Sequence, residues 1–145
     1  MRIIFLIIVS LHGLIHLLGF VKAFGFQEVK ELTLSISKPM GIVWLIVTGL
    51  FLLYGILYFA SNKYAWLVGL IAVIVSQILI IYFWKDAKFG TIPNLIILSV
   101  TLVGLGSYLL HSEFTCRVKV DFLENNTLST DILTEADIAH LPSMV

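Results

Sequence analysis

Four long apolar runs separated by polar links organise this chain, at about residues 3–21, 40–60, 64–84 and 92–110. Each is close to the roughly 20 residues that a helix needs to span the hydrocarbon of a bilayer. A helix also satisfies its own backbone in lipid, and no run has the alternation of a barrel strand. The pattern predicts an all-α fold, a four-helix transmembrane bundle over residues 1–111. A short, partly ordered C-terminal tail, or the start of a soluble domain, is expected over residues 112–145.

The links refine this picture. Ser61, Asn62 and Lys63 join the second and third runs so directly that these must be antiparallel neighbours. Residues 85–91 do the same for the third and fourth, with Gly90 as breaker, Thr91 as helix cap and Pro93 in the first turn. The first loop is longer. Phe26, Val29, Leu32 and Ile36 recur at spacings of three and four, which suggests an interfacial amphipathic helix over residues 27–37. An irregular connector is the competing reading. In the tail, residues 117–122 alternate strictly and read as a strand. Asn125, Asn126 and Thr127 read as a turn with a weak glycosylation sequon, and Thr130 as the cap of a short helix ended by Pro142.

Composition supports the class. The chain has 145 residues, 59% hydrophobic and 12% charged, against about 25% charged in soluble domains. Its formal net charge is zero, which leaves no basic face for nucleic acid. The lipid bilayer is the expected partner, together with a homo-oligomer or a larger membrane complex. Five lysines (Lys22, Lys30, Lys38, Lys85, Lys88) face four basic residues on the other side (Arg2, Lys63, Arg117, Lys119). That difference does not fix orientation, and only Arg2 and the amino terminus tilt it toward both termini inside. A cleaved signal peptide competes for the first run, but two histidines and unusual length favour retention as a helix. Cys116, the single cysteine, reads as an ordinary free thiol.

His12 and His16 are the notable residues of the first run. An ionisable side chain at such depth costs about 2 kcal/mol or more, so it is a functional-site hypothesis by default. Their i, i+4 spacing puts both imidazoles on one helical face. With each run centred on the bilayer, His16, Thr48, Gln77 and Ser99 fall within about 3 Å of one depth. His12 and Thr101 lie one turn nearer the middle. This predicts a buried polar layer of His12, His16, Thr48, Gln77, Ser99 and Thr101. Two meanings compete. The layer glues helices, at roughly 0.6 to 2 kcal/mol per interaction, or it forms a ligand or proton site with neutral histidines.

Other chemistry finds little support. Gly13, Leu14 and Ile15 stand where a zinc-protease motif needs its glutamate, and no carboxylate lies within any run. A bis-histidine haem would need His111, about 13 Å from His12 along the membrane normal. No catalytic residue, metal or cofactor is expected. Gly69, Ala72 and Ser76 make a small-residue face on the third helix. Tyr54, Tyr58, Tyr64, Trp66, Tyr82 and Trp84 near the run ends read as an aromatic belt.

The stretches His12-Gly13-Leu14-Ile15-His16-Leu17-Leu18-Gly19-Phe20 and Trp84-Lys85-Asp86-Ala87-Lys88-Phe89-Gly90-Thr91-Ile92-Pro93-Asn94 resemble an uncharacterised bacterial membrane family. Its four-helix hydrophobic region is DoxX-like in appearance and precedes a soluble C-terminal domain. Residues 133–142 are similar to the opening of that domain. The resemblance implies a bacterial inner-membrane location and carries no activity. The expected function is that of a membrane anchor or assembly module, non-enzymatic. The alternative is a small transporter, or a proton- or redox-coupled membrane protein, that uses the layer around His12 and His16.

Overall fold

The computed structural model describes residues 2–124. Its elements are α1 (Arg2–Ala23), α2 (Lys38–Phe59), α3 (Ala65–Tyr82), the single turn α4 (Trp84–Ala87), a 3-10 turn (Lys88–Gly90) and α5 (Thr91–Glu124). No strand occurs among these residues. The fold is all-α, with α1, α2, α3 and the stretch containing α5 each long and apolar enough to cross a membrane. The chain divides into two units, Met1–Leu109, which holds the bundle, and Leu110–Val145.

Exposure is the inverse of that on a water-soluble helix. On α1, Ile7, Leu11 and Ile15 are exposed, whereas the adjacent His12 and His16 are each 2% exposed. Apolar groups outside and ionisable groups inside suit lipid as the surrounding solvent. The core follows the same logic with Val9, Val47, Phe51, Ala72 and Ile97 fully buried.

Glycine sets the closeness of α1 and α2. A Cβ at Gly13 would lie 2.9 Å from Cβ of Phe51, and one at Gly19 would overlap the Trp44 indole. Large aromatic side chains on α2 thus seat directly against the α1 backbone, the packing expected where small residues permit close approach. The predicted small face of α3 is buried as well: Gly69, Ala72 and Ser76 all lie inside. A Cβ at Gly69 would fall 2.7 Å from Tyr54 and 2.8 Å from the Thr101 hydroxyl.

Two helix ends close by the same motif. After α1, Gly25 takes a left-handed φ of 69°, while Phe26 N–H donates to the Val21 carbonyl and Gly25 N–H to Lys22. After α2, Ser61 takes φ 54°, with Asn62 N–H on Leu57 and Ser61 N–H on Tyr58. Both are Schellman caps, which satisfy the last free carbonyls. Arg2 reaches across from α1 to donate to the Ser61 hydroxyl at 2.7 Å.

Several expectations are corrected. Residues 27–37 form no helix; they are an irregular loop that buries Val29 and Leu32. Its backbone is satisfied by other groups. The Asp86 carboxylate accepts the N–H of Thr33 (2.6 Å), the N–H of Leu34 (2.9 Å) and the Thr33 hydroxyl (2.7 Å), while the Lys22 ammonium donates to the Leu32 carbonyl. Residues 117–122 are helical, as α5 runs on to Glu124 with a Glu113–Arg117 ion pair at 2.6 Å. Among the described residues this alternating segment has no ladder partner, and the helix closes its own hydrogen bonds instead. Thr91 starts α5 inside the helix and does not cap it. Tyr54 belongs to the core at 1% exposure, whereas Tyr64, Tyr82 and Trp84 are exposed as belt residues would be. The turn at residues 125–127, the cap at Thr130 and the helix ended by Pro142 lie outside the described residues.

Candidate functional site

The site arises where the link from α3 to α5 folds back on the bundle. α3 stops at Tyr82, and the buried Phe83 ring packs against Trp44. The next seven residues turn inward. A Cβ at Gly90 would meet Ile80 at 2.9 Å and His12 Cε1 at 3.6 Å. The first turn of α5 consequently lies beside Ser76 and Gln77, some five residues, or about 7.5 Å, before α3 ends. That displacement carries Asn94 to the two histidines.

The result is a closed set of hydrogen bonds whose directions are fixed by their end members. His12 Nε2 faces the Asn94 carboxamide oxygen at 2.8 Å. That oxygen only accepts, so Nε2 carries the proton and Nδ1 is left with a lone pair. His16 Nδ1 faces the His12 carbonyl at 3.0 Å, so this ring is protonated on Nδ1 and accepts at Nε2. The Ser76 hydroxyl donates to His16 Nε2 at 2.9 Å. Asn94 Nδ2 donates to Ser76 at 3.0 Å and to the Gln77 carboxamide oxygen at 3.0 Å. Gln77 in turn donates to the Thr91 hydroxyl at 3.2 Å. The two histidines are therefore opposite tautomers, stacked edge-on with ring centroids 4.7 Å apart. Phe51 and Trp44 wall them in, at 4.9 Å from His12 and 5.2 Å from His16 respectively.

Two buried atoms beside this network have no hydrogen-bond partner among the described residues: Nδ1 of His12 and Nε1 of Trp44. Both residues border a cavity of about 380 Å³. Its remaining walls are Ile15, His16 and Leu18 of α1, Leu32 of the loop, Ile80 of α3, Ala87, Phe89 and Gly90 of the folded-back segment, and Pro93 of α5. Glu31 and Asp86 are its charged members, and among the described residues neither Lys nor Arg lines it. Asp86 precedes the apolar run of residues 92–110. The N–H of Leu34 and the hydroxyl of Thr33 hold its carboxyl below the ordinary carboxylate range.

The predicted layer divides. His12, His16 and Gln77 come together in the network. Thr48 is buried, but its hydroxyl returns to the Trp44 carbonyl at 3.1 Å. Ser99 is exposed and bonds to Leu95 of its own helix. Thr101 is buried in a separate pair with the Tyr54 hydroxyl at 3.1 Å. Ser76 and Asn94 were missed as site residues. Ser76 stood out only as a small residue, and Asn94 lies too close to the start of its run for a midpoint calculation to bring it in.

The network's chemistry is limited by access. Ser76 beside His16 has the spacing of a nucleophile and its base. Yet Ser76 is fully buried and does not border the cavity, so no substrate carbonyl reaches its oxygen. Among the described residues, no three of His, Cys, Asp or Glu lie together as a metal site. What the cavity offers is mostly apolar wall, with His12, His16 and Trp44 along its border. Comparison with protein-family models, curated proteins and solved structures returns no match for this chain.

Proposed function

We propose that this chain is a multi-pass integral membrane protein whose bundle holds a small, largely apolar ligand against His12. The observation that carries the reading is an apolar cavity of about 380 Å³ bordered by His12, His16 and Trp44. Ligand pockets are concave, mostly apolar and carry a few polar groups. A cavity of this volume lies within the usual range for small-molecule sites. The resemblance to an uncharacterised bacterial membrane family, DoxX-like in appearance, supports a bacterial inner-membrane location.

A second reading is that of a membrane anchor or assembly module in which the network only joins helices. The observation in its favour is that every polar side-chain atom of the network other than His12 Nδ1 is paired. Photolabelling separates the two. The protein in phosphatidylcholine vesicles is irradiated with an octanol carrying a diazirine, and labelled peptides are mapped. A ligand site gives labelling of Ile80 or Pro93 that saturates and disappears in Ala87→Phe, which narrows the cavity. Labelling there that rises linearly with the probe, as at lipid-facing Ile7 and Leu11, favours the anchor.

A further inference from the structure

We infer that the small apolar body held by the cavity is one hydrocarbon chain of a bilayer lipid, entering sideways between α1 and the folded-back segment. This rests on the reading of the cavity as a ligand site and names the source of the ligand, the surrounding membrane.

The rim of the cavity points to that source. Ile15 and Leu18 of α1 and Phe89 of the 3-10 turn all line it, yet they are 58%, 40% and 72% exposed. Ile15 and Leu18 continue the exposed face of α1 that Ile7 and Leu11 begin, at spacings of three and four. On a helix that crosses a membrane this is the face that lipid covers, so the cavity opens onto the lipid-facing surface. Phe89 reaches hydrocarbon depth as well. A Cβ at the adjoining Gly90 would lie 3.6 Å from His12 Cε1, and His12 is central in the apolar run of residues 3–21.

The direction of the cavity matches a chain in one leaflet. α1 lines it from Leu18 to His12, a rise of about 9 Å along the helix. Glu31 and Leu32 of the loop line it at the polar end. It therefore runs from the loop toward the bilayer centre, within the roughly 15 Å that is half of the hydrocarbon core.

The chemistry of the walls matches too. A hydrocarbon chain has no hydrogen-bonding group and needs only apolar surface removed from water. Ile80, Ala87 and Pro93 supply such surface behind the rim. The unpartnered ring nitrogens of His12 and Trp44 are buried and offer a ligand no surface. Asp86 is already committed to Thr33 and Leu34. The lipid head stays outside, at the loop, where Glu28, Lys30 and Glu31 are exposed.

A phosphatidylcholine carrying a diazirine within one acyl chain tests this on the full chain in phosphatidylcholine vesicles. We expect adducts at Ile80 or Pro93 that fall when 1-octanol is added and are lost in Ala87→Phe. Adducts at Ile7 and Leu11 should stay unchanged in both cases. The octanol competition uses the unaltered protein, so it decides the matter even where the variant fails to fold. Saturable labelling of Ile80 or Pro93 by the diazirine octanol, with phospholipid adducts there absent or indifferent to 1-octanol, would overturn the lipid chain and leave the ligand site standing. Octanol labelling that does not saturate would remove the ligand site, and the lipid chain with it.

Discussion

At the scale of single residues, the buried hydrogen bonds make unequal contributions that substitution can rank. Ser76→Ala removes the donor to His16 Nε2 and an acceptor for Asn94, deep in the bundle. A loss of about 1 kcal/mol is expected, within the range known for interhelical hydrogen bonds in membranes. Ser99→Ala removes a bond to the residue's own helix on an exposed face, so its effect should stay within about 0.5 kcal/mol. Unfolding in mixed micelles compares the two, and equal losses would contradict the network described here. This contrast also shows what was legible in advance. His12 and His16 stand out in any apolar run because their burial needs an explanation. Gln77 follows from depth alone. Ser76 and Asn94 do not, because Ser is unremarkable in a membrane helix, and Asn94 reaches the histidines only through the inward fold of residues 83–90.

At the scale of elements, close backbone approach and the Asp86 clasp are the features to test. Gly19→Ala places a Cβ into the Trp44 indole and should destabilise the α1–α2 pair by about 1–3 kcal/mol, as overpacking does. Gly49→Ala meets nothing within 4 Å and should be neutral or slightly stabilising, since Ala is the better helix former. The two variants differ only in what the new methyl touches, so thermal unfolding in the same detergent is a direct comparison. For the loop, the lowered value of Asp86 sets the sign of its pH response. The clasp contributes fully above the ordinary Asp value of about 3.9 and is lost as pH falls through its lower folded value. Proteolysis of residues 24–37 should therefore be slow at pH 5 and accelerate well below pH 4, whereas Asp86→Ala should be cut quickly at both. A loop equally resistant in the variant would show that Val29 and Leu32 hold it unaided. The hydrophobic spacing in this loop was real, since Val29 and Leu32 are buried. It did not become a helix because Asp86, distant in sequence, takes the N–H groups of Thr33 and Leu34.

At the scale of the whole molecule, periodicity and length were sufficient for the architecture, because lipid leaves a long apolar run few options besides a helix. The tail shows the reverse. Alternation over residues 117–122 specified nothing without a second strand, and α5 continues through it. The bundle's central property is its inverted interior, where two histidines in opposite tautomers are held by Ser76, Asn94 and their own helix beside an apolar cavity. Nitrogen-15 spectra of the labelled histidine rings in nanodiscs test this most directly. The hydrogen bonds require His12 protonated at Nε2 alone and His16 at Nδ1 alone. A His12 that carries its proton on Nδ1, or a His16 that carries it on Nε2, would contradict the account.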